Sequence, residues 1–363
     1  MHLISGLSAG IFIFIMCISG ALLSFESNIL EIAEGKMRNV DAAPDAKRLQ
    51  IYEIIEKANV SKPGATVSNI TLENEPKAAA VVSFGRDGQL FVNPYTGEIT
   101  GEGATGWRAF FRFVEDAHRW LAFPGSGREI GKALNDAANF LFLFLAISGV
   151  YIWFPKKLAW RNFKPVLWFR RGLRGKSRNF NWHNVIGFWT SLVLIILTLT
   201  AVVMSYQWAN ALVYTITGNE VPKQQTRAQT AEKSNVTTLP ENLETLWQRA
   251  EAHTAWKTIG LRLPVNSEAT FNIDEGIYWN KFGRSSLSID TATGDVAKWE
   301  PYGDQNSGRR LRTWVRFTHT GETGGFIGQF IGFIACIGGA FLVWTGFSLA
   351  LRRMQNWRRR SNG

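Results

Sequence analysis

Five histidines occur in the 363 residues, and four of them stand where an apolar segment meets polar chain. His2, in MHLISGLSAG, is followed four residues later by Gly6 and then by hydrocarbon, and His183, in WHNVIGFW, is followed by Gly187 in the same cadence. His118, in FRFVEDAHRW, and His319, in VRFTHTGE, lie just ahead of two further apolar segments. Neutral imidazole is the commonest metal-ligating side chain, and ionisable groups at the ends of membrane spans tend to be functional. Two histidines near each end of a set of spans suit the axial ligation of two haems, one at each membrane face. Residues i and i+4 share a helix face, so Gly6 lies beneath His2 and Gly187 beneath His183, leaving room for a flat macrocycle. Close helix packing is the competing reading of such glycines, and a solvated interfacial side chain is the competing reading of any one histidine. His253, at the end of an amphipathic stretch, reads as a surface residue.

The elements that must carry these residues are four charge-free segments, Leu3–Phe25, Ala137–Phe154, Val185–Tyr206 and Phe326–Leu351. Each approaches the ~20 residues that a hydrocarbon core of ~30 Å requires. The first lacks the basic flank of a signal peptide, and Ile18 to Ala21 make a poor cleavage site. The connection from Lys156 to Arg178 holds nine Lys and Arg and no acid, and the tail after Leu351 holds five arginines and no acid. Those fourteen charges set against the formal net charge of +11 leave −3 for the rest of the chain. The positive-inside bias then places both termini and the basic connection in the cytoplasm. The expected layout is spans at 1–25, 137–155, 183–206 and 326–351, outer domains at 26–136 and 207–325, a basic loop at 156–182 and a basic tail at 352–363. Basic clusters flanking spans are explained by topology and anionic lipid, so no nucleic-acid partner is expected. No Lys or Arg precedes the first segment, so either the other charges set the topology or the native start lies upstream of Met1.

The chain also repeats itself. His2, Gly6 and Ser19-Gly20 match His183, Gly187 and Thr200-Ala201 at one offset, NPYTGEI at 93–99 parallels DTATGDV at 290–296, and Ser148-Gly149 parallels Thr345-Gly346. The fold class expected is an α-helical membrane protein with four transmembrane helices, built as two parallel helix–domain–helix repeats. Each outer domain reads as a small α+β module. Helical runs DAKRLQIYEIIEKA and PENLETLWQRAEA each precede three strand-like runs: TVSNITL, AAAVVSF and GQLFVNP, then TIGLRLP, ATFNI and SSLSID. The axis relating the copies would set His2 against His183 and His118 against His319.

Cys17 and Cys336 both fall in mid-span, so neither forms an external disulfide or a haem-attachment motif, and packing is their expected role. The implied cofactor is therefore two noncovalent haem b groups. GSGREIG at 125–131 resembles a dinucleotide fingerprint, but its last glycine is one residue late and no strand precedes it. Without a flavin or nicotinamide site, electrons must come from another molecule. Arg112, Arg119 and Arg316 near the outer pair, and Arg178 near the inner pair, are candidate propionate partners, with interfacial anchoring equally open. Trp107, Phe110, Phe111, Trp120 and Trp314 read first as an interfacial belt and second as a pocket.

The opening HLISGLSAGIFIFIMCISGALLSFE, the WHNVIGFW helix, the PYTGEI-like turns and the closing RFTHTGE resemble the PepSY-associated transmembrane helix proteins, an iron-regulated group. Within it the chain looks like the ferric-siderophore reductases of the FoxB type, over nearly its whole length. The resemblance implies PepSY-like outer domains and a bacterial inner-membrane enzyme that passes electrons outward to ferric siderophore. It also implies haem ligation at the matching positions His2, His118, His183 and His319. The donor would be a cytoplasmic molecule or a quinol. A non-enzymatic accessory protein with binding modules on anchoring helices, or a cytochrome b with another acceptor, are the readings set against it.

Overall fold

The computed structural model describes residues 1–43, 46–155, 157, 159–222, 239–280 and 282–361. Lys156, the first cation of the basic connection, lies outside them. The chain divides into two compact units, one of residues 1–26, 109–220 and 307–363 and one of residues 27–108 and 221–306.

The first unit is built on four long helices: α1 (His2–Leu23), α5 (Gly127–Trp153), α7 (Gly175–Ser205) and α11 (Gly325–Ser361). All four are long and apolar enough to cross a membrane, so this is a multi-pass membrane protein. In hydrocarbon a helix satisfies its own backbone polar groups. That is why the charge-free runs tolerate Gly6, Gly10, Gly338 and Gly339, which would weaken a helix in water. α1 packs on α5 and α11, and α7 packs on the same two, closing a ring of four. Its centre holds small and medium side chains, including Ala9, Ile13, Cys17, Ala138, Leu194 and Ala335. Its outside is apolar as well: Ile11, Leu192 and Ile327 are each about two-thirds exposed or more. An apolar surface of this extent belongs against lipid. The helices run past the expected spans. α5 begins ten residues before Ala137, because Arg128, Lys132 and Asp136 continue the helix beyond the charge-free stretch. Shorter helices complete the unit: α6 (Trp160–Leu167), α8 (Gln207–Ile216) and α10 (Ser307–His319). α4 (Thr105–Trp120) carries His118.

The second unit holds α2 (Glu26–Glu34), α3 (Ile51–Ser61), α9 (Leu243–His253) and eight strands. These are β1 (Asn69–Glu73), β2 (Ala80–Ser83), β3 (Gln89–Val92), β4 (Ile99–Gly101), β5 (Thr258–Arg262), β6 (Glu268–Asp274), β7 (Ser285–Asp290) and β8 (Val296–Glu300). Burial alternates along β1, β6 and β7, as a sheet with one covered face requires. Ile54, Ile55, Leu246 and Trp247 of α3 and α9 cover that face, against Ile70, Leu261, Phe271 and Ile289. The sequence suggests two separate modules, but the strands form one antiparallel sheet in the order β4-β3-β2-β1-β5-β6-β7-β8. β1 and β5 pair over five residues, with Ile70 opposite Leu261. Each half alone would leave an edge of unpaired backbone groups. A buried Glu34 is clamped by Arg38 at 2.9 Å and Arg108 at 2.5 Å, which neutralises a carboxylate with no solvent exposure.

Candidate functional site

His2, at the start of α1, and His183, in the third turn of α7, line a single cavity of about 290 Å3 inside the helix ring. Gly6, Gly10 and Gly187 line it too, among apolar walls that include Phe142, Leu145 and Leu342. A methyl at Gly6 would touch Leu145 at 4.0 Å and one at Gly187 would touch Leu342 at 3.6 Å, both ordinary contacts. Packing alone does not demand these glycines, and their missing side chains widen the cavity. Gly10 differs, since a methyl there would stand 2.5 Å from the Phe347 ring.

All four histidines share a second feature. His2 Nδ1 lies 2.8 Å from Ser148 Oγ, His183 Nδ1 2.8 Å from Thr345 Oγ1, His118 Nδ1 2.9 Å from Ser19 Oγ, and His319 Nδ1 3.1 Å from Thr200 Oγ1. A hydroxyl has one proton to give. Ser19 donates it to the Ile15 carbonyl at 2.6 Å, Thr200 to Ile196 at 2.7 Å, Thr345 to Phe341 at 2.8 Å, and Ser148 to Leu145 at 3.4 Å. The Ser19, Thr200 and Thr345 oxygens therefore accept from Nδ1–H of His118, His319 and His183, and His319 Nδ1–H also reaches the Leu197 carbonyl at 3.0 Å. The tautomer assigned by this network leaves Nε2 of these three rings as a lone pair, the form that binds a metal. The residue after three of the hydroxyls is glycine, and the imidazole lies across it. A methyl at Gly149 would sit 3.6 Å from His2 Cε1, one at Gly346 3.8 Å from His183 Cε1, and one at Gly20 3.3 Å from His118 Cε1.

The outer pair is close: the His118 and His319 ring centroids are 6.2 Å apart, with the ring planes tilted by 52°. Burial, then the charge of His319, push the His118 imidazole down to about 4, and burial lowers His319 as well. Both rings are thus held neutral at physiological pH. Tight reversals place them. After α4 the chain turns through Leu121 and Ala122, both at positive φ (55° and 57°), and Gly131 of α5 packs beneath the Trp120 carbonyl where no Cβ would fit. Gly328 of α11 packs in the same way beneath the Gly321 carbonyl after α10. Asn135, nearly buried, donates to the His118 carbonyl at 2.9 Å.

The arginines named from sequence are exposed on their helices, and Arg178 does not line the inner cavity. Arg119 pairs with Glu115 at 2.7 Å and stacks over Trp120, Arg178 stacks over Trp182 and Arg316 over Phe317, while Arg112 is exposed on α4. Of the aromatics, Phe111 is buried and Trp107 and Phe110 are exposed. Cys17 and Cys336 are free thiols that pack on glycine of the facing helix, Cys17 on Gly339 and Cys336 on Gly20. His253 stacks edge-on against Trp299 at 4.7 Å. The segment GSGREIG is the turn into α5, with Arg128 bonded to both oxygens of Asp116.

Among the described residues no three His, Cys, Asp or Glu side chains gather as a site for a bare metal ion. A porphyrin supplies four nitrogens itself and asks the protein for one or two axial ligands, which is what each pair offers. The residues fit that group by donor chemistry at both pairs and, at the inner pair, by the glycine-walled cavity that His2 and His183 share. Sequence reasoning missed the four hydroxyl residues as partners of histidine. Their signal was present, because Ser19, Ser148, Thr200 and Thr345 all mark the repeat. Compared with known protein families, residues 1–353 match the PepSY-associated TM region. No curated protein matches the chain.

Proposed function

The chain belongs to the PepSY-associated TM-region family, and from that premise we propose that it is a dihaem b protein that carries electrons across a bacterial inner membrane to a ferric siderophore outside. The observation that carries this reading is the hydroxyl set: four imidazoles in two pairs, each with Nδ1 held by a serine or threonine hydroxyl of a spanning helix. Bound haem iron would supply one-electron chemistry, cycling between ferric and ferrous states. The rest is work for the protein. His2 and His183 would hold one group in the glycine-walled cavity, and His118 and His319 would hold the other. The hydroxyls would fix ring orientation and raise ligand basicity, and the apolar walls would exclude water and so set potential. A span of ~20 residues covers ~30 Å, too far for one direct hop, and two sites divide the distance.

In this reading the chain is two helix–domain–helix repeats of like orientation. The Lys- and Arg-rich ends face the cytoplasm, and the sheet unit faces outward. Ferric iron is a hard ion held by hard oxygen donors, and adding an electron loosens its hold on them. Reduction would therefore release the metal. The test is to reduce the purified protein with dithionite, remove excess reductant, and add ferric siderophores one by one. Rapid return of the oxidised spectrum with ferrous iron trapped by a chelator is expected. A coloured protein that no ferric siderophore reoxidises would end the reductase assignment.

A further inference from the structure

A loop that only sets topology needs cations but no fixed shape. Residues 165–170 of the basic connection after the second span have a fixed shape. The carboxamide of Asn181, nearly buried on α7, donates to the Pro165 carbonyl at 2.9 Å and to the Trp168 carbonyl at 3.3 Å, and accepts the Arg170 backbone N–H at 2.9 Å. Trp189 Nε1 donates to the Leu167 carbonyl at 3.1 Å, and Val166 is buried. Four hydrogen bonds from α7 thus pin α6 and the turn after it. Asn181 precedes His183 by two residues, ~3 Å along the helix axis.

The pinned segment presents one sign of charge. Arg161, Lys164, Arg170, Arg171, Arg174 and Lys176 are all exposed, and no acid lies between Lys156 and Arg178. Arg352 of α11 lies against Gly175 at the start of α7 and adds a further cation to the platform. Trp168 and Phe169, each 57% exposed, sit beside Arg170. Aromatic side chains and arginine on a rigid scaffold are what protein interfaces enrich, whereas attraction to lipid headgroups asks only for mobile charge near the surface.

We propose that this pinned basic platform beside His183 is the docking surface for a small acidic electron-carrier protein. Its role as the electron entry point rests on the reading above. Opposite fields steer a partner quickly to such a patch and give weak, salt-sensitive complexes with small interfaces. That suits a donor that must leave after one transfer.

The test uses the full chain in nanodiscs and an acidic [2Fe–2S] ferredoxin as probe, with affinity read by equilibrium binding. Arg170→Glu with Arg171→Glu should weaken binding about tenfold or more, as should raising salt from about 50 to about 500 mM. Asn181→Ala keeps every cation but unpins the segment, and binding should weaken severalfold. Unchanged affinity in the charge-reversed variant overturns the proposal. So does a loss that appears only in nanodiscs of anionic lipid and vanishes in zwitterionic ones, because the patch would then be a lipid surface. Binding is also read on haem-free protein. A chain that holds ferredoxin but no haem counts against the haem reading and not against this surface.

Discussion

Replacing Thr345 with valine removes one oxygen and leaves the shape of the side chain. In the native protein that oxygen accepts Nδ1–H of His183 at 2.8 Å while its own proton goes to the Phe341 carbonyl at 2.8 Å. Thr345 has no solvent exposure, so water does not replace it. Two outcomes follow for the imidazole. If Nδ1–H stays unpaired, the buried donor costs about 1–3 kcal/mol. If the proton moves to Nε2, the atom that should ligate is blocked. Outer-shell partners of a ligating histidine typically contribute 10–100-fold in metal affinity, or about 1.4–2.8 kcal/mol. The Leu342 carbonyl also faces His183 and would take part of the load, which puts the expected loss near tenfold, about 1.4 kcal/mol. The assay is haem titration of apoprotein by absorbance, with the outer pair as internal control. Thr345→Ser should restore affinity and Thr345→Val should weaken one haem of two. Equal affinity in Thr345→Val and wild type would refute the reasoning, for the hydroxyl would then serve only its own helix.

Gly10→Ala would place a methyl 2.5 Å from Phe347 in the wall of the inner cavity; a loss of about 1–3 kcal/mol by overpacking is expected, seen as a lower unfolding temperature in detergent and weaker inner haem binding. Glu34→Ala would strip the acid from between Arg38 and Arg108, and destabilisation of about 3 kcal/mol is expected, at the low end for a broken buried pair because both guanidinia are partly exposed; chemical denaturation followed by circular dichroism of the sheet would measure it. For pH, burial and His319 hold His118 down to about 4, while an unfolded histidine titrates near 6.5. The unfolded chain then binds the extra proton between those values, so the stability of haem-free protein should be flat above about pH 6.5 and fall as pH drops from there towards 4. A denaturation midpoint that rises on acidification through that window would contradict it.

The spans were legible because charge-free runs near bilayer length have few other uses, and His2 and His183 stood out by recurring with Gly6 and Gly187. The hydroxyls were not read as functional, because a serine or threonine in a membrane helix ordinarily bonds its own backbone four residues back. Thr200 and Thr345 do that and also accept from a ring far away in sequence. β4 escapes a sequence reading because it has only three residues, and β8 because its residues are exposed or half-buried with no apolar alternation. The union of two modules in one sheet was invisible for another reason. It depends on β1 meeting β5, a pairing of residues far apart in the chain that no local pattern encodes. Likewise the clamp on Glu34 joins α2 to α4, and nothing in either segment alone marks it.

The most direct measurement is the haem content and ligation of the purified chain. Pyridine haemochrome analysis should give two haem b per protein, and low-temperature electron paramagnetic resonance should show low-spin ferric iron with two imidazole ligands. His118→Ala should remove one of the two signals and leave the other. A colourless protein, or two unaltered signals without His118, would contradict the account.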